Sequence, residues 1–270
     1  MTPFKLTESD YREIVNIVYQ TSGIVLNDTK HEMVYARLVR RIRQLKLTSF
    51  SAYLDYLACH SELELDILIS AITTNLTSFF REPHHFQFIK QYCVPSILSR
   101  NKQSKRVRFW SAGCATGEEA YSLAIAIQGM FPADWDVKIL ATDIDAQVIE
   151  QAKQGVYSKI SLLNVSIEQR EKWFYKNKQT ASYSLHPSIV NKVTFKRLNL
   201  LSQWPMQGPF DLILCRNVMI YFDKLTKEQL LYRYNDILHP HGYLFLGHSE
   251  MIAQKNSSFI SLGHTMYQKV

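Results

Sequence analysis

Hydrophobic positions recur at helical spacing through the first 80 residues of this chain, and from residue 106 onward short apolar runs alternate with helical stripes. In the first region Tyr11, Ile14, Val15 and Val18 form one stripe. Thr7 and Asp10 precede it at capping-box spacing, and Gly23 ends it. A second helix is predicted over 31–45, with Val34, Leu38, Ile42 and Leu45 on its buried side. Helices over 50–59 and 61–73 follow, the latter opened by Ser61 and Glu64 as another capping box. Gly23 is the sole glycine here and no strand-like alternation occurs, so residues 1–80 are expected as a small all-α domain. Pro83 suits the first turn of a helix over 84–92. That leaves residues 75–82 as an extended or looped connector and assigns 81–105 to a helical linker.

The second region reads as an α/β domain. A β-like run, Arg106-Val107-Arg108-Phe109, feeds WSAGCATGEEAY (110–121), and an apolar helical run follows over 121–127. A strand, a tight turn of small residues and a helix is how a doubly wound sheet brings backbone close to a cofactor. Gly113 and Gly117 bracket the turn. Ala115 stands where a dinucleotide fingerprint has its second glycine, the residue that lets the chain approach a pyrophosphate. Glu118 and Glu119 at the helix start would repel a phosphate. A nucleoside cofactor without phosphates fits better, and S-adenosylmethionine is the common one.

A second strand over 137–141 ends in Thr142-Asp143-Ile144-Asp145, before a helix over 147–153. An acid at that strand end is where such folds hold a ribose diol, and Asp143 lies about 25 positions past the glycine turn, near the ~20 expected. Further strands are predicted over 193–199, 210–215, 242–247, 258–262 and 265–268, with a helix over 225–238. Residues 158–190 break the alternation and read as an insertion in a cofactor-binding domain spanning 106–270.

Composition narrows the class. With 46% hydrophobic and 20% charged residues this is an ordinary globular chain, large enough for one large domain or two. No stretch approaches the roughly 18 apolar residues of a membrane span. MTPFKLTESDY lacks the apolar region of a signal peptide, so a soluble, cytoplasmic protein is expected. Cys59, Cys93, Cys114 and Cys215 show no paired spacing, which points away from disulfides and zinc. His84-His85, His239-x-His241 and His248 lie on helix starts and turns with no acid or cysteine partner pattern, and no metal site is expected.

The net charge of +7 points to an acidic partner. Its densest part is the second helix, where Arg37, Arg40, Arg41 and Arg43 stand opposite the apolar side, with Lys46 just beyond and no acid from Ala36 to Ser49. Arginines without acid partners one turn away repel one another, so these four are expected to dock an acidic substrate surface. The acid-free stretch over 100–108 reads as a solvated loop.

NLTSFFREP (75–83), WSAGCATGEEAYSLAI (110–125), ATDID (141–145), GVY (155–157), NLL (199–201), FDLILCRNVMIYFD (210–223) and HGYLFLGHSE (241–250) occur in this order behind the helical domain. Together they make the chain resemble the chemotaxis receptor methyltransferase family, the CheR type, along nearly all its length. Ala120 departs from the pattern, since proline usually follows the two glutamates in that family.

The resemblance implies a protein-glutamate O-methyltransferase dependent on S-adenosylmethionine, with S-adenosylhomocysteine as product. The implied fold is an α/β, Rossmann-like class I methyltransferase domain behind the small all-α domain. It has a mixed sheet, an antiparallel last strand and a small β-subdomain supplied by 158–190. Cofactor contacts are implied for residues matching Asn75, Thr77, Arg81, Glu118, Asp143, Asn199, Leu200, Cys215, Arg216 and Asn217, beside the turn glycine Gly113. Tyr221 matches the tyrosine near the reacting methyl. The implied partner is the helical cytoplasmic region of methyl-accepting chemotaxis receptors, met by a monomer without nucleic acid or membrane insertion. A receptor tail tethers some members through the insertion.

The residues suit that chemistry. Methyl transfer from a sulfonium is an in-line displacement that needs alignment at roughly 3–3.5 Å more than proton shuffling. A glutamate, with a reference pKa of about 4.3, is already an anionic nucleophile at neutral pH. Arg81 can position a carboxylate through its planar fork, and Tyr221 offers a hydroxyl on a rigid ring. Three other readings stay open: a nucleic-acid methyltransferase, a small-molecule methyltransferase and a cofactor-binding regulatory module. The first would place an Asn-Pro-Pro-Tyr-like loop where this chain reads Arg216-Asn217-Val218-Met219-Ile220-Tyr221. The second would have little use for a basic helical domain, and the third none for Arg81, Asp143 and Tyr221 together.

Overall fold

In the structure, a computed structural model that describes residues 4–253 and 258–270, four helices come first. They are α1 (Glu8–Ser22), α2 (His31–Gln44), α3 (Phe50–Cys59) and α4 (Ser61–Ile72). Thr7 and Asp10 close the capping box of α1 reciprocally, each side chain accepting the other's backbone N–H. Gly23 ends α1 at φ 71, and a Cβ there would lie 2.2 Å from Leu201 Cδ1. Left-handed backbone and close approach both demand glycine at this position.

Two expectations for this region are corrected. Glu64 does not cap α4, whose N-cap is His60 without a side-chain bond. Its carboxylate turns inward, 2% exposed, and takes a two-pronged bond from Arg41 at 2.8 and 2.5 Å. The arginines of α2 are therefore not all unpartnered. Arg37 also faces inward and donates to the carbonyls of Ala71, Ile72 and Thr73, the unsatisfied end of α4. Only Arg40 and Arg43 of the four are exposed, and the Arg43 guanidinium lies 5.9 Å from the Phe4 ring.

Next come α5 (Pro83–Phe88), a π turn (Ile89–Cys93) and α6 (Val94–Arg100). The helix predicted over 84–92 thus continues to Arg100, and Pro95 falls just after the π turn, where Val94 N–H bonds the Ile89 carbonyl and the hydrogen-bond register changes. Within the stretch over 100–108, residues 102–105 are exposed and lead into the first strand, as expected of a solvated loop, but its ends are anchored. Arg100 donates to Asp211 at 2.6 Å, Asn101 joins the same oxygen at 2.8 Å, and Arg108 pairs with Asp136.

The remaining elements are β1 (Arg106–Ala112), α7 (Glu118–Ala126), β2 (Asp136–Asp143), α8 (Ala146–Gln154), β3 (Val156–Tyr157), α9 (Ile167–Trp173), β4 (Phe174–Lys176), β5 (Tyr183–Leu185), α10 (Pro187–Val190), β6 (Val193–Arg197), β7 (Phe210–Cys215), α11 (Lys224–Ile237), β8 (Leu238–Leu246), β9 (Phe259–Gly263) and β10 (Met266–Lys269). Seven strands pair in the order β6-β2-β1-β7-β8-β10-β9. The first five run parallel, and β10 enters antiparallel to both β8 and β9. All six residues of β7 are buried, as a central parallel strand requires. A separate antiparallel sheet, β3-β5-β4, forms the small subdomain; the insertion over 158–190 supplies β4 and β5, and β3 lies just before it.

Each sheet face has its own core. Phe109, Leu212 and Phe245 pack beneath Phe79, Ile89 and Tyr121. On the other face Trp110, Ile213 and Tyr234 share one apolar cluster with Ile14, Val18 and Leu38 of the helical domain. Polar ties cross that junction: Val25 N–H to the Tyr221 carbonyl at 2.9 Å, Asn199 Nδ2 to the Thr21 carbonyl at 2.7 Å, and the Tyr19 hydroxyl to Asp223 at 2.7 Å. Arg197 and Asp66 add an ion pair. No helix among the described residues is long and apolar enough to cross a membrane.

Candidate active site

Strand order reverses between β2 and β7 around β1, and an open sheet binds ligands at the carboxyl ends of strands beside such a switch point. A cavity lies there, walled by the turns after β1, β2, β6 and β7, by the connector over 73–81, and by Lys30 and Met33 of the helical domain.

Local geometry explains the glycine turn. Gly113 has φ 100 and a Cβ would stand 2.2 Å from Val218 Cγ2. The N–H groups of Gly113 and Cys114 both donate to the Thr142 carbonyl, at 2.8 and 2.9 Å, which ties the turn to the end of β2. Ala115 adopts φ 46, a conformation that strains a residue with a side chain. In exchange its N–H meets Asp143 Oδ2 at 2.9 Å, while Asp145 N–H takes Oδ1 at 3.0 Å. Burial raises the Asp143 pKa, and these backbone bonds oppose that rise. One lone pair remains on each oxygen, in a carboxylate that borders the cavity, which fits a ribose diol.

The connector is held by its phenylalanines. Phe79 is fully buried, edge-on to Tyr157 and Phe174. Phe80 and Glu82 both take positive φ, 52 and 55, and Phe80 N–H bonds Ser122 Oγ at 2.9 Å. Between them Arg81 reaches the cavity wall, its Nη1 donating to the Leu76 carbonyl at 3.1 Å. Arg216 braces it from behind: 2% exposed, this side chain donates to the Arg81 carbonyl and lies 3.2 Å from both Glu82 and Glu119. Burial raises the Glu119 carboxyl, opposed by the Arg216 charge and a bond from Ser111. Burial would raise Glu82 as well, but Arg216 and the His248 N–H outweigh it and hold that carboxyl below its usual range.

The residues singled out in the sequence do not all meet. Asn75, Thr77, Arg81, Gly113, Asp143, Asn199, Leu200, Arg216, Asn217 and Tyr221 line the cavity. Glu118 does not, because its carboxylate turns aside to accept from Thr116 Oγ1 at 2.6 Å. Its neighbour Glu119 lines the cavity instead. Cys215 is fully buried outside it, its sulfur accepting from Tyr234 at 3.2 Å. Asn199 borders the cavity with its amide already committed to Thr21 and Leu201. Among the described residues the Tyr221 hydroxyl meets only the Thr74 carbonyl, at a long 3.5 Å. Arg37, Arg40, Arg41 and Arg43 lie outside the cavity.

Glu250 was not singled out. It accepts N–H groups from Gly247, Asn217 and Ile220 at 2.6, 2.8 and 3.1 Å, and so clamps the loop that carries Tyr221. It ends the HGYLFLGHSE stretch, which was the signal available. Glu82, His84 and His85 bring ligating atoms within 4.8 Å of one another, an acid–histidine grouping the spacing did not suggest. Burial, the first cause, pushes His85 down to about 4, so its ring is neutral at physiological pH.

A parallel sheet with an antiparallel strand wedged beside its end, and an acid closing β2 over a phosphate-averse turn, define a class I S-adenosylmethionine-dependent methyltransferase. Comparison with known families agrees: residues 75–268 match the CheR methyltransferase SAM binding domain and residues 9–73 the CheR methyltransferase all-alpha domain. The chain belongs to the CheR methyltransferase family. It is 41% identical over 269 residues to the chemotaxis protein methyltransferase of Salmonella typhimurium, covering 97% of this chain and 90% of that one. For the chemotaxis protein methyltransferase of Escherichia coli the identity is 40% over 269 residues, with 97% and 91% covered. For the probable chemotaxis protein methyltransferase of Rhizobium etli it is 38% over 258 residues, with 93% and 96% covered.

Proposed function

We propose that the chain moves the methyl group of S-adenosylmethionine onto glutamate carboxylates in the helical cytoplasmic region of chemotaxis receptors, yielding methyl esters, and that it works as a cytoplasmic monomer. The observation that carries this reading is the meeting of Arg81 and Tyr221 with Asp143 on one cavity, from three separate segments. Bound S-adenosylmethionine supplies an electrophilic sulfonium methyl. Asp143 holds the ribose end, and the turn at Gly113 allows close backbone approach. Arg81, its backbone held by Arg216, orients the acceptor carboxylate without gripping the attacking oxygen. Tyr221 steadies the same centre with its hydroxyl. The acceptor is already ionised at neutral pH, so the site needs no general base. The loop from Arg216 to Tyr221 has no proline, unlike the loops of amine-directed enzymes of this fold. The names of the relatives point the same way.

The test offers labelled S-adenosylmethionine with receptor-bearing membranes, total RNA and small carboxylic acids in separate tubes. Label is expected in membrane protein and should leave as methanol in mild base. Label in RNA, or protein label stable to base, would overturn the proposal.

A further inference from the structure

Four of the nine histidines gather around one acid. Glu82 precedes α5, His84 and His85 begin it, His248 follows β8, and His264 sits in the turn between β9 and β10. The His248 Nδ1 is 3.4 Å from Glu82 Oε1. The His84 ring is 4.4 Å from that of His85 and 5.4 Å from that of His264.

The His85 hydrogen bonds decide what the cluster can hold. Its ring is fully buried, and Nε2 lies 2.9 Å from the His264 carbonyl oxygen. A carbonyl can only accept, so Nε2 carries a proton, and Nδ1 is the position whose lone pair a cation could take. That lone pair has no hydrogen-bond partner. It faces Glu82 Oε2 at 3.4 Å, another buried atom without one. Glu82 Oε2 keeps the Arg216 charge at 3.2 Å, but His85 Nδ1 is left buried without a hydrogen bond, which native structures avoid unless something sits against it. A metal cation would turn both into ligands. Two imidazole nitrogens and a carboxylate oxygen suit zinc and its neighbours, whereas magnesium and calcium prefer oxygen alone. An imidazole whose second nitrogen donates to a carbonyl is the usual outer support of a metal ligand. Arg216, 3.2 Å from Glu82 Oε2, opposes a cation, and Glu119 on its other side offsets that charge.

We propose that Glu82, His84 and His85 form a binding site for a zinc-class divalent cation, with water completing its coordination on the open side. The half-exposed His84 side gives the ion its way in. The site adjoins Arg81 in sequence and shares the Glu82 carboxylate with Arg216, so its occupant acts on the connector that carries Arg81. The proposal does not rest on which substrate is methylated.

The test uses the full chain stripped with a chelator, in a Cys59→Ser background that removes the exposed thiol. Zinc is titrated by calorimetry and cobalt by its visible absorption. One zinc ion per chain is expected, with the intense cobalt bands of a low-coordinate site and no competition from magnesium. His84→Ala should weaken zinc binding about ten- to hundredfold. Its methyl transfer in chelator should match that of the unaltered chain. Equal zinc affinity for the unaltered chain and His84→Ala, or no uptake below millimolar zinc, would sink the proposal.

Discussion

The Asp143 carboxylate receives one backbone N–H on each oxygen, so a ribose diol would meet the second lone pairs. Asp143→Ala should weaken S-adenosylmethionine and S-adenosylhomocysteine alike by about ten- to hundredfold, the roughly 1.5–3 kcal/mol of charge-assisted hydrogen bonds. Burial raises this pKa above its ordinary 3.8, and donated hydroxyls favour the ionised form. Protonation therefore competes with the ligand. Affinity should hold at neutral pH and fall as pH drops through the raised pKa, and Asp143→Asn should flatten that slope. Calorimetry across pH that finds the same slope in both proteins would remove Asp143 from the ribose. Tyr221 divides the roles differently. Its hydroxyl makes one long bond, to the Thr74 carbonyl, so Tyr221→Phe should cost little stability. Turnover should drop while cofactor affinity stays within about twofold, because the hydroxyl acts mainly near the methyl. A parallel loss of affinity and rate would recast Tyr221 as a binding residue.

At the scale of elements, the loop after β7 and the connector before α5 are each held by buried charge from elsewhere in the chain. Glu250 takes two N–H groups of that loop and a third from Gly247 with two oxygens, an arrangement an amide cannot reproduce, since its nitrogen would face a donor. Glu250→Gln should therefore lower turnover with the Tyr221 hydroxyl intact and speed amide exchange over residues 217–221. Exchange unchanged in that loop would show that the clamp is unimportant. What could be read from sequence follows the same division. Strand, glycine turn and Asp143 lie close together in the chain, and their spacing alone places them. The Glu118–Glu119 pair was legible as two acids, but only the rotation of α7 decides that Glu119 lines the cavity while Glu118 turns to Thr116; neighbours on a helix point about 100° apart. Arg41 with Glu64, and Arg216 with Glu82, pair across 23 and 134 positions respectively, and no local pattern announces such partners. The four arginines of α2 looked alike for that reason.

The whole molecule separates those arginines by task. Arg37 and Arg41 bind α2 to α4, and α4 leads into the connector and the cavity, so they belong to the scaffold. Arg40 and Arg43 stand exposed three residues apart on one side of the helix, with Lys46 beyond them, and are what remains of the positive band that we propose meets an acidic partner. Exposed charges act through encounter and orientation and are screened over about 8–10 Å at physiological salt. Arg40→Glu with Arg43→Glu should raise the KM for receptor membranes and flatten its salt dependence. Cofactor affinity and unfolding midpoint should stay unchanged. Arg41→Ala, in contrast, leaves the Glu64 carboxylate buried without its partner and should cost about 3 kcal/mol in chemical denaturation. Because the helical domain shares one core with the sheet, that loss should shift a single unfolding transition. Receptor kinetics equal to those of the unaltered chain at low salt, in the doubly reversed protein, would leave Arg40 and Arg43 as a solvated face. The acidic partner would then have to dock elsewhere.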